Sequence, residues 1–365
     1  MNFMKFKITS FDIEYKPPIQ NSIDKMADQV AKLCGKRLKV YGNSKPAIRR
    51  LESELAVMKQ THTAFEFLML KEISDLSHEE GYPLLEEGKL SGSLIAFLLG
   101  ITSFNPILPL GSKEAQEEPF AYTDMIWASV QHPKKPSFSI VIAKSVKDLI
   151  WQRLTKKFGY LESSEETLHR LSLLTDTSCD DIGELAKLTG QLPKLNQFGN
   201  EVYLAVIKDL ADTYKKRLGD SFAKELKSIA SCDFYTLTQI LGYIHGSFSQ
   251  ERTMKDLYDP GFFTLRDEFL KVLLSCGIPD DIVFDFVVRG VWSRGTGREE
   301  YALILEKYST PQSLKDYYNK VANLWPASAC VSRLEIMCTI KWYQINYPKE
   351  FALVYQNDLE KSEED

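Results

Sequence analysis

The sequence predicts a mainly α-helical protein with a small α/β part. Three observations carry that expectation. Apolar residues recur at helical spacing along most of the chain, helix-capping residues punctuate its second half, and β-type runs are confined to residues 3 to 15 and 138 to 143. The 365 residues are 44% apolar and 26% charged, enough to bury one large core or two ordinary ones. A net charge of −5 argues against a protein that coats nucleic acid with its whole surface, so any basic face must be local.

Residues 3 to 15 alternate weakly and end at Pro17-Pro18, which predicts a short strand. Helices are expected over 22 to 35, 46 to 60, 62 to 79 and 92 to 100, followed by an acidic, proline-bearing loop from Asn105 to Glu118. Phe138 to Ala143 is the second strand, and a helical pattern resumes over Lys144 to Phe158. From Glu162 onward the punctuation is helical. Ser163 with Glu166, and Thr264 with Asp267, have capping-box spacing; Thr310-Pro311 reads as a helix start; Gly190 and Gly277 suit helix ends. The last long helix, Ala329 to Ile345, carries Val331, Leu334, Met337 and Ile340 at spacings of three, and Glu360 to Asp365 forms an acidic tail.

Six scattered cysteines and five histidines show no metal-ligand spacing, so buried reduced thiols are expected and no metal or cofactor. The N-terminus lacks a signal-peptide run, and the apolar segment Leu94 to Ile101 is too short to span a bilayer. This predicts a cytoplasmic protein without membrane contact.

Gly88 to Ser93 opens an apolar helix, where small residues and free backbone amides can hold phosphate; Lys89, Gly92 and Ser93 are its candidate residues. The glycine spacing is not that of a P-loop, and an ordinary helix cap is the plain alternative. Between Gln131 and Lys157 seven basic residues, including Lys134, Lys135, Lys144, Lys147, Arg153, Lys156 and Lys157, face only Asp148. Such a concentration can neutralise DNA phosphates, although a solvated helix face would look the same. The basic stretch Lys208 to Lys227 is diluted by acids and reads as a salt-bridged helix surface. Asp12 and Glu14 share one side of a predicted strand, a weak sign of a metal-dependent nuclease.

Three blocks, in order, resemble the PolC type of bacterial DNA polymerase III alpha subunit and, more distantly, the DnaE type. The first runs from Arg50-Leu51-Glu52-Ser53-Glu54-Leu55 through Glu80-Gly81-Tyr82 and Ser93-Leu94-Ile95-Ala96 to Asn105-Pro106. The second is Gly242-Tyr243-Ile244-His245-Gly246 with the helices after it. The third spans Leu324-Trp325-Pro326 to Tyr347-Pro348.

The resemblance implies a reduced palm-like α/β region over 1–160, a helical fingers-like domain over 161–360 and an acidic tail over 361–365. In the family, carboxylates hold the catalytic metal pair; here an ungapped alignment places Ser137 and Ser139 at the two aspartate positions. Neutral hydroxyls do not replace bridging carboxylates. The palm segment after Gly159, with the family's third aspartate, looks deleted.

The resemblance therefore implies a catalytically inactive relative, not an enzyme, that binds primer-template or single-stranded DNA, or replisome proteins. Two alternatives remain open. One is an active nucleotidyltransferase with relocated carboxylates, such as Asp12 and Glu14 or Asp176, Asp180 and Asp181. The other is a protein-interaction decoy that does not bind DNA.

Overall fold

A computed structural model describes residues 9–15, 20–39, 44–86, 90–107, 122, 138–158, 169–175, 177–248, 253–259, 261–287 and 298–361. Its first part is a helical layer on a small mixed sheet: β1 (Thr9–Tyr15), α1 (Gln20–Leu38), α2 (Lys45–Thr61), α3 (Ala64–Glu79), β2 (Leu85–Glu86), α4 (Leu94–Leu99), β3 (Ser139–Ile142), α5 (Lys147–Phe158), β4 (His169–Thr175) and α6 (Thr177–Thr189). The strand order is β1-β4-β3-β2. β4 pairs antiparallel with β1 and parallel with β3, and β2 pairs antiparallel with β3.

Local chemistry sets the ends of these helices. The Ser44 hydroxyl accepts from the Ala47 amide at the start of α2, with a proline in its first turn, and His62 in the left-handed region (φ 56°) ends it. α3 is apolar on nearly every side, with Phe65, Phe67, Leu68, Met69, Leu70, Ile73 and Leu76 buried, so it forms the centre of the first core. Ser93 caps α4, and Gly100 (φ 78°) closes it. The predicted helices and the strand at 138 to 143 are present within a few residues.

The region after Glu162 differs from the sequence reading. His169 to Thr175 forms β4, the strand between β1 and β3, although the punctuation there reads as helical. Its pairing partners lie far away in sequence, so local periodicity does not report them. The expected division at residue 160 therefore cuts across a sheet, because β4 and α6 pack with the elements before it. Ser163 and Glu166 lie outside the described residues.

The remainder is helical: α7 (Asn200–Thr213), α8 (Lys215–Leu218), α9 (Asp220–Lys227), α10 (Phe234–His245), α11 (Met254–Tyr258), α12 (Arg266–Ser275), α13 (Asp280–Asp285), α14 (Arg298–Lys307), α15 (Gln312–Lys320), α16 (Ala327–Asn346) and α17 (Pro348–Lys361). A two-stranded sheet of β5 (Ser247–Phe248) and β6 (Val321–Asn323) lies among them. Helices α7, α9, α10 and α16 build a second core around Val206, Phe222, Tyr243 and Leu334; α12 to α15 build a third around Phe269, Phe286 and Tyr318. Gly190 (φ 68°) and Gly277 (φ 75°) adopt the left-handed conformation expected of helix ends.

The capping box at α12 is displaced by one residue. Glu268, not Asp267, accepts from the Thr264 and Leu265 amides. Asp267 is buried and accepts from the amides of Tyr122 (2.7 Å) and Ala327 (2.6 Å), which ties α12 to the start of α16. Burial raises its carboxyl above the usual aspartate value, against the pull of those amides and Arg266. All six cysteines are free thiols, and burial pushes Cys34 up to about 12. Among the described residues no helix is long and apolar enough to cross a membrane.

Two glycines mark close contacts. A Cβ on Gly242 would stand 2.5 Å from Leu265 Cδ2 and 2.8 Å from the Thr264 carbonyl; one on Gly183 would stand 2.0 Å from the Tyr82 ring. Gly242→Ala is expected to cost about 1–3 kcal/mol in denaturant unfolding, because backbone blocks the added methyl. Gly183→Ala displaces a half-buried ring that can rotate, so its expected loss is smaller; equal losses would contradict this account.

Candidate nucleic-acid interface

The loop before α4 is organised from below by α2. Arg50 and Glu54 lie one helical turn apart, both buried, with Arg50 Nε donating to Glu54 Oε1 at 2.6 Å. The same carboxylate accepts from Ser93 Oγ (2.8 Å) and from the amides of Leu94 (2.9 Å) and Ile95 (3.1 Å). Arg50 Nη2 donates to the Gly92 carbonyl at 2.7 Å, and its guanidinium lies 5.6 Å from the Tyr122 ring centre. Glu54 is thus an internal anion at the start of α4.

The amides expected to meet phosphate are therefore spent on a protein carboxylate, and both Gly92 and Ser93 are buried. Gly88 and Lys89 lie outside the described residues. Glu54→Ala leaves Arg50 buried without its carboxylate and should cost about 3–5 kcal/mol in thermal or denaturant unfolding. A loss under about 1 kcal/mol would mean that the pair is not the anchor of this loop.

The sheet brings together residues that the sequence keeps apart. Ser172 of β4 is in register with Asp12 of β1 on one side and with Ser139 of β3 on the other. The three residues form one row across adjacent strands, which puts the outer two about 10 Å apart. Ser137 and Asp176 lie outside the described residues. Asp180 is committed elsewhere: it accepts from the amides of Lys144 (2.8 Å) and Ser145 (3.0 Å) and from the Ser145 hydroxyl, capping the turn that leads into α5. Among the described residues no three His, Cys, Asp or Glu gather as metal ligands.

The basic stretch begins at the end of β3. A single 3₁₀ turn, Lys144–Val146, leads directly into α5, which buries Ile150 and Leu154 against the first core. Arg153 pairs with Glu79 at 2.8 Å and approaches Glu72 at 3.9 Å, and Lys157 also pairs with Glu72. Two of the five cations proposed from sequence are thus partly neutralised by α3. Lys144 and Lys156 are exposed, and Lys147 is half-buried. Lys134 and Lys135 lie outside the described residues.

The same helix carries Trp151 at 42% exposure and, on a different side, Leu149 at 43%. Sequence reasoning missed Trp151, although its place four residues after Lys147 was a usable sign.

The region from α1 to β4 matches a family model. Residues 24–175 match the bacterial DNA polymerase III alpha NTPase domain. Proteins named DNA polymerase III PolC-type are similar over about a quarter of the chain: 33% identity over 97 residues in Streptococcus mutans and 35% over 96 in Thermotoga maritima, each 26% of this chain. In Streptococcus pneumoniae the identity is 34% over 90 residues, 24% of this chain.

The chain is a PolC-like relative. It spans only 6 to 7% of the length of those curated proteins. The match overturns the expectation of a non-enzyme, since the relatives of this PolC-like chain are polymerases by name. Serine at two aligned positions was too narrow a basis for that exclusion.

Proposed function

We propose that this PolC-like chain works in DNA replication by holding DNA against the segment 144–158. What supports the reading is that Lys144 and Lys156 are exposed, whereas Arg153 and Lys157 engage the acids of α3; Lys147 is half-buried where α5 begins. Each lysine that neutralises a phosphate releases a counterion, so its contribution is lost as salt rises. On this reading the sheet and its helices form a palm-like unit reaching past residue 160 to include β4 and α6, and the later helices form a fingers-like unit. The partners are primer-template or single-stranded DNA, or replisome proteins that recognise such a fold.

Anisotropy titrations of labelled DNA at several salt concentrations test it. Replacing Lys144, Lys147 and Lys156 by alanine should weaken binding at least about tenfold and reduce the salt slope by about 2, near 0.7 for each lysine on a single strand. The pair Arg153→Ala/Lys157→Ala should act more weakly. An unchanged slope in the triple variant would remove DNA from the partners.

A second reading, nucleotidyl transfer, is favoured by the row that aligns Asp12 with Ser139 through Ser172. Asp12 and Glu14 contribute two carboxylates from one strand, fewer than a bridged metal pair requires. The donor set at this row therefore does not by itself fit such a pair. Primer extension with magnesium or manganese decides the matter: the reading expects incorporation that Asp12→Asn abolishes. Extension that survives Asp12→Asn, or its absence in the unaltered chain, would end it.

A further inference from the structure

Four charged side chains form a ladder between α3 and α5. Arg153 and Lys157 lie one helical turn apart on α5, and Glu72 and Glu79 lie two turns apart on α3, so each pair occupies one face of its helix. Arg153 Nη1 stands 2.8 Å from Glu79 Oε2 and 3.9 Å from Glu72 Oε1, while Lys157 Nζ meets Glu72 Oε2. Glu72 thus serves both cations, and its side chain is only 14% exposed, whereas those of Arg153 and Lys157 are 36% and 53% exposed. The spacing of the two helices is held from below: Ile150 and Leu154 are buried in the first core, and the Phe158 ring meets Phe65 edge-on at 5.2 Å.

We infer that Glu72 and Glu79 are a built-in competitor for DNA, occupying Arg153 and Lys157 so that the segment 144–158 binds phosphate more weakly than its charge allows. The inference rests on the DNA-binding reading above and describes how that site is restrained. A phosphate that approaches Arg153 or Lys157 must displace a carboxylate already in place, and it is repelled by that carboxylate as it comes. A cation balanced by the protein's own acid displaces fewer counterions from the DNA, which lowers both the affinity and the salt slope. Ion pairs this open to solvent contribute little to stability, so the acids can be neutralised without loss of the fold.

The experiment measures oligo-dT binding by anisotropy at several salt concentrations. It compares the unaltered chain, Glu72→Gln/Glu79→Gln, and that double variant with Arg153→Ala/Lys157→Ala added. Freeing two cations should tighten binding about tenfold at about 0.1 M salt and steepen the salt slope by about 1.4, near 0.7 for each contact on a single strand. The gain should vanish once Arg153 and Lys157 are alanine. Glu299→Gln/Glu300→Gln changes the net charge equally at two exposed residues of α14, and should leave affinity within about twofold because distant charges are screened. Matching unfolding temperatures confirm that the variants are folded.

If Glu72→Gln/Glu79→Gln binds no more tightly while the triple lysine variant weakens binding, the competitor is overturned and the DNA-binding reading stands. A gain that survives Arg153→Ala/Lys157→Ala, or that Glu299→Gln/Glu300→Gln reproduces, is a net-charge effect and overturns it as well. If neither the unaltered chain nor Glu72→Gln/Glu79→Gln binds DNA, the DNA-binding reading itself falls.

Discussion

Helix α16 is buried on two sides, and the junction of the first two cores depends on that burial. Ile336 and Tyr343 pack into the first core, whereas Cys330, Val331, Leu334 and Cys338 pack into the second. A helix with one apolar stripe can serve one core; this one serves two, so apolar residues surround much of its length. Asp267 fixes its start by accepting from the Ala327 amide, and the Ser332 hydroxyl meets that of Ser91 at 2.5 Å in the loop before α4. The position of that loop is thus set jointly by α16 and by the Arg50–Glu54 pair beneath it.

Charge on this protein is controlled by tertiary neighbours as much as by composition. The acids Glu72 and Glu79 on α3 lie more than 70 residues before the cations they meet on α5, and they engage Arg153 and Lys157 of the basic segment. Exposed ion pairs of this kind add little stability. Their consequence is for recognition, because a cation already beside a carboxylate is a weaker partner for phosphate. Lys144 and Lys156 remain exposed.

The family match over residues 24–175 holds β2, β3 and β4, and β1, which precedes it, pairs with β4 so that Asp12 comes into line with Ser139. Loss of a carboxylate at one position of a sheet does not by itself empty the row, since an adjacent strand can place another acid at the same level. The two functional readings also occupy opposite ends of β3: Ser139 begins the strand, and Lys144 follows two residues after its end.

By itself the sequence determined the helical class, the helix start at Ser93, the terminating glycines Gly190 and Gly277, the strand at 138 to 143 and the concentration of lysines after it. These are local signals, written in residues a few positions apart. Tertiary structure alone decided that His169 to Thr175 is a strand between β1 and β3, that Glu54 rather than a ligand takes the amides of α4, and that Arg153 and Lys157 are paired while Lys144 and Lys156 stand open. Each of those outcomes depends on partners tens to more than a hundred residues away, and spacing along a chain carries no record of which distant group will arrive to accept a hydrogen bond or cancel a charge.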